Sequence, residues 1–155
     1  MPNHCSNRVT ISAHDGKEDQ FKAVLKAFES ERPFQSLYPQ PDWPNIPNKD
    51  GVLPELREMK NSKGEVFTTT YYFPDGTNDD RWYDWCYQNW GTKWDAYDFH
   101  VADIDEECGY ATFEFMTAWA PADGIYNVIK EKYPDVGISW FYDEPGCELA
   151  GYLPD

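Results

Sequence analysis

Apolar and polar positions alternate or recur along much of this chain, and the spacing predicts most of its elements. Val9 and Ile11 share one side of Arg8–Ser12, which predicts a short strand. Phe21, Val24, Leu25 and Phe28 recur at i, i+3, i+4 and i+7, so Glu18–Glu29 is predicted as a helix, with Asp15 and Glu18 as a capping pair at its start. Lys93–Val101 alternates with Tyr97, Phe99 and Val101 on one side. Tyr110–Thr117 sets Ala111, Phe113 and Phe115 against Thr112, Glu114 and Met116. An acidic turn at Asp103–Gly109 would join these two as a hairpin. Ala120-Pro121 opens a further helix with Ile125, Val128 and Ile129 as its stripe, ended by Tyr133-Pro134. Val136, Ile138, Trp140 and Tyr142 form a closing strand, broken at Glu144-Pro145-Gly146.

The middle of the chain behaves differently. Pro33 to Pro54 carries six prolines, which excludes sustained regular structure there and predicts a long loop, with Trp43 and Tyr38 able to pin it down. Leu53–Met59 is compatible with a helical turn. Glu65–Phe73, rich in Thr, Tyr and Phe, predicts a strand between Lys63-Gly64 and Pro74-Asp75-Gly76. Asn78 or Asp79 can cap a helix over about residues 80–90, with Trp82, Trp85, Cys86 and Asn89 on one face and Gly91 as its stop.

With that segment set aside, the order is strand, helix, strand, strand, helix, strand. The expected class is α+β: a ferredoxin-like split βαβ fold (βαββαβ), an antiparallel four-stranded sheet with two helices on one face. The 155 residues suit one domain over 1–155, with a proline-rich insertion at about 33–78 and an extra helix at about 80–90. Aromatic residues at 17% supply enough bulk for its core. Apolar runs are only a few residues long and the first residues show no charged-then-apolar leader, so no membrane span and a cytoplasmic location are expected.

Charge changes the picture most. The formal net charge is −15. Met1–Pro74 carries 10 acids against 9 bases, whereas Asp75–Asp155 carries 18 against 4. A chain of this sign repels nucleic acid and anionic membranes, so neither is an expected partner. A basic protein surface is the expected one. A solvated acidic surface that only aids solubility is the competing reading.

Other chemistry finds little footing. Cys5, Cys86, Cys108 and Cys147 lack metal-knuckle spacing, and Cys5 beside His4 on a strand points to the opposite face. Asp103, Asp105 and Glu107 alternate, and Glu114 falls at the twelfth position from Asp103. However, Cys108 occupies the place of the EF-hand glycine, so a solvated hairpin tip is expected and not a calcium loop. No P-loop, dinucleotide or nucleophile-elbow motif occurs. No catalytic residue, metal or cofactor is assigned. Outward-facing Arg8 can pair with Glu114.

Four blocks resemble a known family: Met1-Pro2-Asn3-His4-Cys5-Ser6-Asn7-Arg8-Val9-Thr10-Ile11, Trp90-Gly91-Thr92-Lys93-Trp94-Asp95-Ala96-Tyr97, Thr117-Ala118-Trp119-Ala120-Pro121 and Tyr142-Asp143-Glu144-Pro145-Gly146. They look like the signature of the YubB-type family, small proteins with a ferredoxin-like domain carried by plasmids and bacteriophages. Family members often have a second proline where this chain has Ala122. The resemblance implies the ferredoxin-like fold and a mobile-element origin, and it brings no activity. The Trp90–Asp95 block is either a binding feature or a structural corner, and a glycine helix stop beside aromatics favours the corner.

The functional expectation is therefore a phage-encoded acidic interaction protein without catalysis of its own. It would bind a basic, nucleic-acid-handling host protein in the bacterial cytoplasm, presenting carboxylates where phosphates would dock. The residues expected to carry this are Asp79, Asp80, Asp84, Asp95, Asp98, Asp103, Asp105, Glu106, Glu107, Asp143 and Glu144, with Trp43, Trp90 and Trp94 as aromatic anchors where exposed. The alternative is a small enzyme or ligand-binding module using the open sheet face and the proline-rich loop.

Overall fold

The computed structural model describes residues 3–154. The chain divides into two compact units, one built from the residues up to Pro39 together with those from Cys86 onward, the other Gln40–Trp85. The second unit lies within the stretch that the sequence sets apart as an insertion.

The first unit is built on an antiparallel sheet. Its strands are β1 (His4–Ala13), β4 (Tyr97–Asp105), β5 (Tyr110–Ala118), β6 (Val136–Glu144) and β7 (Leu149–Tyr152), in the order β4-β5-β1-β6-β7. The alternation that marks Val9 and Ile11 extends through the whole of β1, where Cys5, Asn7, Val9 and Ile11 are all buried. Register fixes which neighbours join them: Val9 lies between Phe113 and Trp140, and Ile11 between Ala111 and Ile138.

Helix α1 (Glu18–Glu29) lays Phe28 on this apolar face, with ring centroids 4.9 Å from Phe113 and 6.3 Å from Phe115. Phe99 of β4 stacks on Phe115 at 5.6 Å, and Trp140 meets Phe115 at 5.7 Å. Tyr126 of α4 (Asp123–Lys132) reaches Trp140 at 6.4 Å. Each such pair adds about 0.5–1.5 kcal/mol beyond area burial. Asn7 is a buried polar side chain on this face, and it is satisfied: it donates to the Cys5 carbonyl (3.0 Å) and to the buried Thr117 Oγ1 (2.9 Å), and its Oδ1 accepts from Trp140 Nε1 (2.9 Å).

Several expectations are corrected. The sheet has five strands, not four, because β7 pairs with β6 after a 3-10 turn at Pro145–Cys147. The proline-rich stretch opens with a short helix, α2 (Pro33–Leu37), where proline fits the first turn, and contains a 3-10 turn at Trp43–Asn45. Leu53–Met59 is not helical: β2 (Glu55–Lys60) pairs with β3 (Val66–Tyr72) as a two-stranded ribbon, and cross-strand contacts such as Arg57 over the Tyr72 ring override its helix formers. Asp15 does not cap α1. A backbone bond from the Lys17 N–H to the His14 carbonyl (3.0 Å) closes the turn, and Lys17 occupies the cap position. The acidic turn is shorter than expected: Asp103 and Asp105 belong to β4, and 106–109 make the turn.

The Trp90–Asp95 block is a structural corner after α3 (Arg81–Asn89). Trp90 and Thr92 are fully buried, and the Thr92 hydroxyl donates to the Ala118 carbonyl (2.9 Å). The backbone here meets α4 closely. Gly124 donates its N–H to the Trp90 carbonyl (3.1 Å), and a Cβ at Gly124 would lie 1.8 Å from the Asn89 carbonyl oxygen. Gly124→Ala is therefore expected to destabilise the protein by about 3 kcal/mol, the upper range for overpacking, read as a lower urea midpoint at unchanged slope.

Candidate functional site

The strand order leaves β4 at one edge of the sheet, hydrogen-bonded to β5 on one side only. It is exposed over most of its length, including Asp98, Val101, Ala102, Asp103 and Ile104. The exposure of Val101 (44%) and Ile104 (40%) is high for apolar strand residues. Register shifts between Tyr97 and His100, and again between Val101 and Asp103, bend the strand. Thr112 and Tyr110 stand opposite Asp103 and Asp105, which places both carboxylates on the sheet face away from the helices. Phe113 and Ala111 oppose Val101 and Ile104, which places those two on the helix side. The expected single side for Tyr97, Phe99 and Val101 is thus broken by the bulges.

Two of these carboxylates accept hydrogen bonds within the hairpin. Asp103 accepts from the Tyr110 hydroxyl at 2.5 Å, and that contact pushes the phenol's pKa up. The Asp105 carboxylate caps the turn by accepting the Cys108 backbone N–H at 3.0 Å, which lowers its pKa. Glu106 and Glu107 are exposed in the turn itself. Among the described residues, none of Asp98, Asp103, Asp105, Glu106 and Glu107 is in an ion pair. Glu106 shares a shallow depression with Lys22, Lys26 and Glu29 of α1, so the negative field tapers on that side.

The other expected acids divide. Asp79 is consumed within the second unit, where Arg81 Nε and Nη2 donate to its two oxygens at 2.8 and 2.9 Å. Its side chain is only 3% exposed. Arg81 also donates to the carbonyls of Trp43 (3.0 Å) and Pro47 (3.2 Å), with its guanidinium 5.0 Å from the Trp43 ring centre. Trp43 thus pins the proline-rich loop and is half-buried. Asp95 is consumed by backbone, accepting the N–H groups of Phe34, Gln35 and Ala96 at 2.8–3.0 Å; burial nevertheless raises its pKa. Glu144 is 1% exposed; its Oε2 accepts the Cys147 N–H, and its Oε1 has no partner among the described residues. Asp80 and Asp84 are exposed in the second unit, and Asp143 is exposed on β6.

The aromatic anchors need one correction. Trp90 is fully buried, its Nε1 donating to the Tyr38 carbonyl (2.8 Å), so it cannot anchor a partner. Trp94 is 37% exposed, with Lys93 Nζ 4.0 Å above its ring. Sequence reasoning missed Trp119, which is 41% exposed at a left-handed φ of 70°, its N–H donating to the Asn3 carbonyl (2.9 Å). Only a strained non-glycine backbone marks it, and no periodicity reports that. Residues from all four blocks of the family resemblance lie at this end of the sheet, where His4 opposes Ala118, Ser6 opposes Asp143 and Tyr97 opposes Met116.

The remaining chemistry is that of a folded scaffold. The cysteines are free, and burial pushes the thiols of Cys5 and Cys86 up to about 11, away from nucleophilic activation. No cluster of three or more metal-ligating side chains occurs among the described residues. On the open face Arg8 does pair with Glu114 (2.5 Å), and His100 Nε2 lies 2.9 Å from the same carboxylate. A depression lined by Leu37, Tyr38, Pro39, Val128, Glu131 and Lys132 holds no thiol or imidazole. No helix among the described residues is long and apolar enough to cross a membrane.

The comparisons agree with this geometry at the level of fold. Residues 89–153 match a protein family described as the ferredoxin-like domain in Api92-like protein, so this part of the chain is similar to an uncharacterised ferredoxin-like family. The match covers three of the first unit's longer strands and α4, but not β1 or the second unit. No curated protein matches the chain. No solved structure matches it.

The Asp79–Arg81 pair generates a pH prediction. The Arg81 hydrogen bonds hold the folded Asp79 carboxyl below its ordinary value. Its contribution is therefore present above the unfolded carboxylate pKa and lost as pH falls through the lower folded one. Asp79→Asn is expected to destabilise the protein by about 1–3 kcal/mol at pH near 7, with the difference from wild type shrinking in acid, as read by urea denaturation across pH.

Proposed function

We propose that this protein is an acidic interaction module that binds a basic, nucleic-acid-handling protein by charge complementarity. In this reading it is a plasmid- or phage-borne protein of the YubB type that acts on a partner in its bacterial host's cytoplasm, without catalysis of its own. The observation that carries the proposal is the edge of β4 and its turn, where Asp98, Asp103, Asp105, Glu106 and Glu107 are gathered with no ion-pair partner among the described residues.

Physical chemistry favours a protein partner over a nucleic acid, since phosphates would meet like charge. Carboxylates spaced along an edge strand present negative charge to a basic groove as a phosphate backbone would, and they steer encounter from a distance of about a Debye length, roughly 10 Å at moderate salt. Exposed Trp94 and Trp119 supply aromatic area beside Asp98 and Asp143 on the same end of the sheet.

The test is binding to polylysine as a defined basic probe, measured over a range of salt. Replacing Asp98, Asp103, Glu106 and Glu107 by their amides is expected to lower affinity by about tenfold and flatten the salt dependence. A matched variant with amides at Asp15, Glu31, Glu131 and Glu148 removes the same charge elsewhere and is expected to lose much less. Equal losses in the two variants would reduce the acidity to a bulk property and overturn the proposal.

A further inference from the structure

We infer that the free side of β4 is a docking edge for an extended basic segment of the partner, which adds to the sheet beyond β4. This rests on the interaction reading above and specifies its mode.

Two features of the edge select this occupant. First, the row of backbone N–H and C=O groups on the outer side of β4 is unpaired within its sheet, over a strand of nine residues, whereas the opposite edge, β7, has only four. Natural edges are usually blunted by charge and bulges to prevent pairing with a copy of the same chain. Here the charges are all of one sign: Asp98, Asp103 and Asp105. Two such edges repel each other, so the device that blocks a second copy admits a segment of opposite sign. Second, the faces differ chemically. Asp103 and Asp105 project to the open side, and exposed Val101 and Ile104 to the helix side. A strand laid along β4 projects alternate residues to the same two sides. The segment that fits therefore alternates basic residues with apolar ones, in register with carboxylates on one side and aliphatic surface on the other.

The magnitudes describe a transient complex. The bulges leave Asp103–Asp105 as the regular run, so only a few ladder bonds form, each of modest net strength in water. Charge steering and aliphatic contact supply the rest. This is β-strand addition, in which main-chain bonds give affinity and alternate side chains give specificity.

The test compares two probes on the full chain: a peptide alternating lysine with valine, and the same peptide N-methylated at every second residue so that its sheet-facing donors are removed. The unmethylated peptide is expected to bind, to slow hydrogen exchange at β4 amides, and to lose about tenfold in affinity on methylation. Equal binding of the two peptides would overturn the docking edge while leaving the charge-based function standing. Failure of both peptides at low salt would remove both. Sedimentation showing a dimer that protects β4 without peptide would also overturn the inference, because a second copy would then be the occupant.

Discussion

The ladder that β1 forms with β5 and β6 is the constraint from which the rest of the first unit follows. It puts Val9 between Phe113 and Trp140 and Ile11 between Ala111 and Ile138, committing one face of three strands to a single apolar layer. A slip of one residue would turn Cys5, Asn7, Val9 and Ile11 toward water together, so the register is strongly determined. Asn7 sharpens it further, since its side chain is satisfied only where Thr117 and Trp140 both come within reach. Once β1, β5 and β6 hold the centre, β4 has no place except the edge. Its acidity is then a property of the outside of the sheet.

That position divides the carboxylates by what they do. Asp79, Asp95 and Glu144 are drawn inward, one onto a guanidinium and two onto backbone donors. They are parts of the scaffold, however acidic the sequence around them looks. Asp98, Asp103, Glu106 and Glu107 remain on an edge and a turn with no ion-pair partner among the described residues. A negative field can act on another molecule only through charges of the second kind. Their grouping on one element, beside exposed aliphatic side chains, is what the proposed recognition surface rests on, against the reading of acidity spread for solubility.

The elements governed by periodicity were legible in the sequence. Phe21, Val24, Leu25 and Phe28 all lie buried on α1, and Phe113, Phe115 and Trp140 face the same core. The expected ends of α3 differ from the observed ones by a single residue. What escaped was set by contacts that no window of sequence contains. Strand β2 exists because β3 pairs with it, against the helix propensity of Glu55–Lys60. Strand β7 is four residues recruited by β6 after a 3-10 turn. The bulges in β4 put Tyr97 on the open face while Phe99 and Val101 stay on the helix face, against simple alternation. In the candidate site, composition pointed to the acidic half of the chain but could not tell Asp95, which accepts backbone N–H groups of α2, from Asp98, which has no ion-pair partner among the described residues. It counted Trp90 as an anchor and overlooked Trp119, a difference decided by burial and backbone conformation.

The central claim is that partners touch the carboxylates of β4 and its turn. Zero-length carbodiimide coupling joins a carboxylate to a lysine amine only where the two are in contact. Coupling the chain to polylysine, followed by mass-spectrometric mapping, should place the junctions at Asp98, Asp103, Glu106 and Glu107, with Asp79, Asp95 and Glu144 spared. Junctions spread evenly over surface acids, or gathered at Asp80 and Asp84 of the second unit, would contradict the account.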